Sequence, residues 1–311
     1  MATSASRLNI FSGAKRRRGT HERPSTREML TAWIWIGPAV LFVAIFLVYP
    51  VINTIWQSLQ NSDSTSFVGL ANYRRIFTQS SMLEILRNNL LWLVVGTAAT
   101  VFLGLVIAVL VDRVRIESAA KAAIFIPMAI SFVGAGVIWK FVYQYAPTGQ
   151  TQTGLLNAFV TRLGLSPNAW LVDTRVNNFA IIAIYVWMWT GFCMVILSAA
   201  LKSVPTEILE AARVDGAGEL AIFRRIIVPM IMPTIIVVAT TMVINVLKIF
   251  DIVYVTTGGD FKTNVVAVAY YQQLFNFNNY GVGSALAVIL LVAIIPIMYF
   301  NIRRFRAEVQ P

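Results

Sequence analysis

The stretch EAARVDGAGELAIFRRIIVPMIMP, residues 210–233, opens charged and glycine-broken and ends inside an apolar run. Another apolar run, 179–201, lies just before it. Runs of about twenty apolar residues have the length of membrane helices. A bilayer offers no water to backbone groups, so a spanning segment must be a helix or part of a closed barrel. These runs are continuous rather than alternating, which selects helices. Working outward from the loop gives six spans, roughly 31–54, 89–111, 122–144, 179–201, 229–250 and 282–301. At ~1.5 Å per residue each can cross a ~30 Å core. The third is interrupted by Pro127, Gly134 and Gly136, and the fifth opens with Pro229 and Pro233, which a helix tolerates near its start. With 58% hydrophobic and 13% charged residues, the expected class is an all-α integral membrane protein. It has a basic tail over 1–28 and one six-helix transmembrane domain over 29–311.

The formal net charge of +11 invites a nucleic-acid reading, but the placement of the charge opposes it. With the N-terminus inside, the inner segments carry the tail cluster Lys15, Arg16, Arg17 and Arg18, together with Arg113, Arg115, Lys121, Lys202, Arg213, Arg224, Arg225, Arg303, Arg304 and Arg306. The outer loops carry only Arg74, Arg75, Arg87, Arg162, Arg175 and Lys262. That asymmetry places both termini in the cytoplasm and makes the tail a topology determinant near anionic lipid, with no nucleic-acid partner. The first span is too long for a cleaved signal, and no small-x-small site follows it. Cys193, the single cysteine, sits in an apolar run and reads as packing. The single histidine is His21, in the tail, so no metal-ligand set exists. No GxxxxGK[ST] phosphate loop and no nucleophile–base constellation occur, which argues against an enzyme. Asp112 and Glu117 are expected to be solvated at an inner turn.

The inner loop, about 203–228, reads as helix–turn–helix. Pro205 and Thr206 can open a helix, with Ser203 or Thr206 as cap. Glu210, Ala211 and Ala212 suit a helix, and the two alanines allow close approach by another surface. Asp215-Gly216 is a turn pair, since glycine permits positive φ. A second short helix over 217–227, carrying Ala217, Leu220, Ala221, Phe223, Arg224 and Arg225, suits a groove in a soluble partner. An amphipathic loop resting at the lipid headgroups is the competing reading.

The spacing Glu-Ala-Ala-x-x-Asp-Gly-Ala, followed by Phe223, Ile226, Pro229 and Pro233, resembles the cytoplasmic signature of binding-protein-dependent ABC importer permeases. Val228 departs from it, where leucine is common. FVGLANY (67–73) looks like the outer-loop motif of the maltose-type, carbohydrate-uptake branch. IPMAISFVGA (126–135), VIWKFVY (137–143) and KIFDIVY (248–254) are similar to the α-glucoside permeases. Glucosylglycerol importers lie close by. The resemblance implies the type I importer permease fold, in a bacterial inner membrane. It implies a second homologous permease, two ATPase subunits that bind ATP and magnesium in place of this chain, and an extracytoplasmic sugar-binding protein. It implies that Glu210, Ala211, Ala212, Asp215, Gly216, Ala217, Phe223 and Pro229 dock on the ATPase. Asp215 is expected to cap the second loop helix, and Glu210 to pair with a basic residue nearby or on the ATPase.

A sugar offers hydroxyl edges and C–H faces, so its sites combine polar groups with aromatic rings. Polar residues at membrane depth are costly and face cavities or partner helices. On that basis Trp139, Tyr185, Trp189, Asn245, Lys248 and Asp251 are the candidate substrate path. Lys248 and Asp251, three apart on one expected helical face, could instead neutralise each other.

Overall fold

The computed structural model describes residues 26–309 apart from 113 and 148. The tail cluster and His21 therefore lie outside the described residues. Among the described residues, five helices have the length and composition to cross a membrane: Trp33–Gln57, Ser80–Val111, Asn177–Lys202, Glu219–Leu247 and Tyr280–Phe300. A bent pair, Glu117–Ala129 and Phe132–Val142, has the length and composition for a sixth crossing and turns by 100° at its break. Pro127 sits in a 3-10 turn at the end of the first half, and Ser131 opens the second by accepting the Gly134 N–H at 3.0 Å. The expected interruption of the third span is thus a right-angled corner. Among the described residues no strand forms beyond an isolated bridge between Gln60 and Phe67.

The chain divides into two compact units, one ending at Ile52 and the other starting at Asn53. The described part of the first is a single helical rod, Thr26–Val43 continuing through a π turn, with Trp35 and Phe46 exposed. Such a surface suits lipid.

In the second unit the fourth span, Asn177–Lys202, is the central helix; about two-thirds of its apolar window (67%) is buried. Small residues let its neighbours approach closely. A Cβ added to Gly104 of the second span would lie 2.5 Å from Cys193 Cβ, and one added to Gly191 would lie 2.4 Å from the Ile124 carbonyl oxygen. Cys193 is fully buried, consistent with its expected packing role.

Neutral amides fasten one end of this helix. Asn177 Nδ2 donates to the Phe261 carbonyl (2.6 Å) and Asn178 Nδ2 to that of Lys262 (3.1 Å). Asn88 Nδ2 donates to the carbonyls of Lys262 and Asn264 at 2.8 and 2.9 Å, while Asn89 Oδ1 accepts from the Val266 N–H at 2.8 Å. These bonds hold a loop whose Phe261 and Lys262 have φ of 54° and 63°. Asn88 and Asn89 are thereby held within the second helix, which starts at Ser80 rather than 89.

Candidate functional site

Charge fastens the other end of the central helix. Lys202, its last residue, reaches Glu117 Oε1 at 2.5 Å and Asp112 Oδ1 at 3.6 Å. Lys121 contacts Glu117, Ser198 and, at 3.4 Å, Asp112. Glu117 is the first residue of its span, and its carboxylate is shared by the Lys121 and Lys202 ammonium groups. Asp112 and Glu117 are therefore engaged, not solvated as expected. They draw together the ends of three spans immediately before the loop begins.

The loop opens with helix Thr206–Val214, preceded by Pro205 and without a side-chain cap. Ser203, expected to cap it, instead donates its hydroxyl to the Ala200 carbonyl (2.8 Å) and closes the preceding span. The helix ends in a Schellman turn. The Gly216 N–H bonds the Arg213 carbonyl and the Ala217 N–H bonds the Ala212 carbonyl, both at 3.0 Å. Gly216 has φ +79°, as the Asp-Gly pair predicted.

Asp215 is the C-cap of this helix and does not cap the next one, which starts at Glu219 after Gly218. The turn is braced instead by Arg213, whose Nε meets Glu219 Oε1 at 2.8 Å and whose Nη2 meets Oε2 at 3.4 Å. Glu210 has no ion pair among the described residues, because the nearby base is taken by Glu219, and it stays exposed. Ala211 is exposed, Ala212 and Ala217 are half-buried, and Val214 and Leu220 are 87% and 70% exposed. The loop thus presents an apolar surface beside Arg224 and Arg225, both exposed.

The expected separate helix over 217–227 does not exist. Glu219–Leu247 is one helix of 29 residues. Half-buried Phe223 opens a π turn, Phe223–Ile227, inside it. Pro229 follows, lacking an N–H and crowding the carbonyl four residues back. The wider turn accommodates it without ending the helix.

That helix stops at Leu247, not 250. Lys248 is its C-cap and exposed, and Asp251 opens a short helix to Thr256. Lys248 and Asp251 therefore do not share a helical face, and among the described residues no ion pair joins them. Asn245, one turn before the break, donates its Nδ2 to the Thr241 carbonyl (3.0 Å).

Trp139, Tyr185 and Trp189 come together in one packed cluster that also takes in Val246 and Ile249, on either side of the break. Tyr185 lies 5.9 Å from Trp92 and 6.2 Å from Trp189, ring centre to ring centre, and Trp139 lies 5.6 Å from Trp187. Tyr185 is fully buried with its hydroxyl 3.7 Å from Met242 Sδ. The Trp189 indole N–H is buried without an acceptor.

A second aromatic group forms from Phe250, Tyr254, Tyr271 and Phe275, with ring centres 4.9–5.5 Å apart. Their i,i+4 pairs, 250/254 and 271/275, were readable in the sequence. Their meeting across the loop was not.

A family model described as "Binding-protein-dependent transport system inner membrane component" matches residues 100–306. The chain is 57% identical over 275 residues to the osmoprotective compounds uptake permease protein GgtC of Synechocystis sp., covering 88% of this chain and 99% of that protein. It is 46% identical over 277 residues to the alpha-glucoside transport system permease protein AglF of Rhizobium meliloti, covering 89% and 82%. Among solved structures it superposes on a chain of a bacterial ABC transporter involved in the import of the acidic polysaccharide alginate. The TM-score is 0.75 at 20% identity, covering 90% of this chain and 96% of the other, a likeness of fold.

Proposed function

Because the chain belongs to the family of binding-protein-dependent transport system inner membrane components, we propose that it carries an α-glucoside or related sugar across the inner membrane. It forms half of a translocation path, beside a second homologous permease. An extracytoplasmic binding protein delivers the solute. ATP and magnesium bind on two partner ATPase subunits, not on this chain, and both termini lie in the cytoplasm. The single observation that carries the mechanism is the continuity of Glu219–Leu247 from the loop to the break at Lys248.

In this reading the ATPase grips the exposed face of 206–220. The Schellman turn and the Arg213–Glu219 brace transmit its displacement into the long helix. Twenty-nine residues at ~1.5 Å each make a rod of about 43 Å. Its far end carries Asn245 and Lys248, with Asp251 just beyond. There a backbone interrupted at membrane depth offers the unpaired groups a polar solute needs. Trp139, Tyr185 and Trp189 form the aromatic wall behind it. Alternating access then needs only that the loop and the solute each favour one of two positions of this rod.

A second solute class is favoured by the 57% identical relative, named for osmoprotective compounds: a glycosylated polyol such as glucosylglycerol. The test is uptake into vesicles holding the complete complex, offered labelled trehalose, sucrose, maltose and glucosylglycerol. ATP-dependent uptake of one of them is expected. Uptake without ATP would reject an importer of this type, and ATPase binding with no uptake of any solute would leave a recruitment role instead.

A further inference from the structure

At the end of the spans opposite the coupling loop lies a polar cavity of about 440 Å³. Glu84, Arg87, Arg175, Asn178 and Lys262 are among the residues that line it. Arg175 is occupied by Asp173, its Nη2 at 3.0 Å from Oδ2. Arg87, Lys262 and Glu84 have no ion pair among the described residues. Asn178 is 9% exposed; its Nδ2 is used by the Lys262 carbonyl, and its Oδ1 is buried and accepts nothing. The cavity therefore offers two unpaired cations beside an unpaired carboxylate and a buried acceptor.

Below it runs an apolar groove of about 690 Å³, and Phe179 lines both. One wall is the second span, where Arg87 and Leu91 of the polar cavity are followed at every fourth residue by Val95, Ala99, Leu103 and Ile107 of the groove. The fourth span lines the groove through Ile182, Ala183 and Val186, and the broken span through Ile124 and Pro127. From Val95 to Ile107 is about 18 Å of helix, against ~15 Å for one leaflet of hydrocarbon.

We propose that cavity and groove together bind one phospholipid whose headgroup carries an amine as well as its phosphate. The phosphate meets Arg87 and Lys262, the ammonium meets Glu84 and Asn178 Oδ1, and an acyl chain fills the groove. Charge complementarity selects this occupant: a purely anionic headgroup would leave Glu84 and the Asn178 oxygen unanswered, and a purely apolar helix would leave all four. The site is independent of which solute the chain carries.

The experiment uses the whole purified transporter complex, stripped with detergent and then exposed to vesicles of phosphatidylethanolamine, vesicles of phosphatidylcholine, or soluble phosphoethanolamine. Bound lipid is counted by mass spectrometry. Wild type should retain phosphatidylethanolamine and release the other two. Retention should fall by about tenfold, the factor equivalent to ~1.4 kcal/mol, in the double variant Arg87→Gln/Lys262→Gln. Ala183→Trp, which fills the groove from an exposed position, should do the same. Equal retention of phosphatidylcholine, equal binding of soluble phosphoethanolamine, or retention unchanged in either variant overturns the proposal. So does disulfide capture of a partner permease helix by Ala183→Cys, which would put protein where lipid is expected.

Discussion

Replacing Gly216 by valine should uncouple the transporter without unfolding it. Gly216 has φ +79°, and a Cβ built there meets no atom within 4 Å. No clash arises within this chain, so the cost is conformational. An L-residue in the left-handed region costs roughly 1–2 kcal/mol. That is a factor of about 5–30 in the population of a loop closed by two 3.0 Å bonds. Valine, branched at Cβ, should lie at the upper end. Alanine should fall lower, and asparagine, which tolerates positive φ, should come close to glycine. The assay is substrate-stimulated ATP hydrolysis by the reconstituted complex, with assembly followed by size-exclusion chromatography. Stimulation should fall in the order Gly, Asn, Ala, Val. Wild-type coupling in Gly216→Val would refute the role given to the turn. An asparagine variant as poor as valine would refute the backbone argument and point to a partner surface that excludes any side chain.

Three further outcomes follow from the same geometry. Gly104→Val should lower the unfolding midpoint in detergent by an amount equivalent to about 1–3 kcal/mol, since its Cβ would sit 2.5 Å from Cys193 Cβ. Cys193→Gly should restore part of it. Glu117→Gln should loosen the inner clasp and lower stimulated hydrolysis more than basal hydrolysis. Equal loss of basal and stimulated hydrolysis would contradict that role. Asn245→Ala should weaken transport and leave basal ATP hydrolysis intact; unchanged transport kinetics would remove it from the path.

The spans were legible because twenty apolar residues have few other fates. Where the boundaries moved, a partner distant in sequence moved them. Ser80–Asn89 is polar enough to read as loop, yet Asn88 and Asn89 find backbone groups near residue 265 and the helix continues through them. At the other end of the fifth span, Lys248 interrupts a helix with no glycine or proline to announce it. Val246 and Ile249 are buried in the same core cluster, which fixes the chain on either side of the break. The turn at Gly216 was readable because glycine is required there locally. Its brace was not, because Arg213 had two acidic candidates and only geometry distinguishes Glu219 from Glu210. The Glu117–Lys121 half of the inner clasp has an i,i+4 signature. The Lys202 half depends on packing between spans and has none.

The central helix is fastened at its two ends by different chemistry. Carboxamides hold one end, and no proton or dissolved ion competes with them at ordinary pH. Ammonium–carboxylate pairs hold the other, where salt screens and acid discharges. In the proposed orientation the amide end meets a medium whose acidity and salinity the cell does not control, and the charged end meets the regulated interior. The transporter's outer scaffold would therefore keep its shape across osmotic and acid shifts, while the part that answers to the ATPase stays tunable by charge.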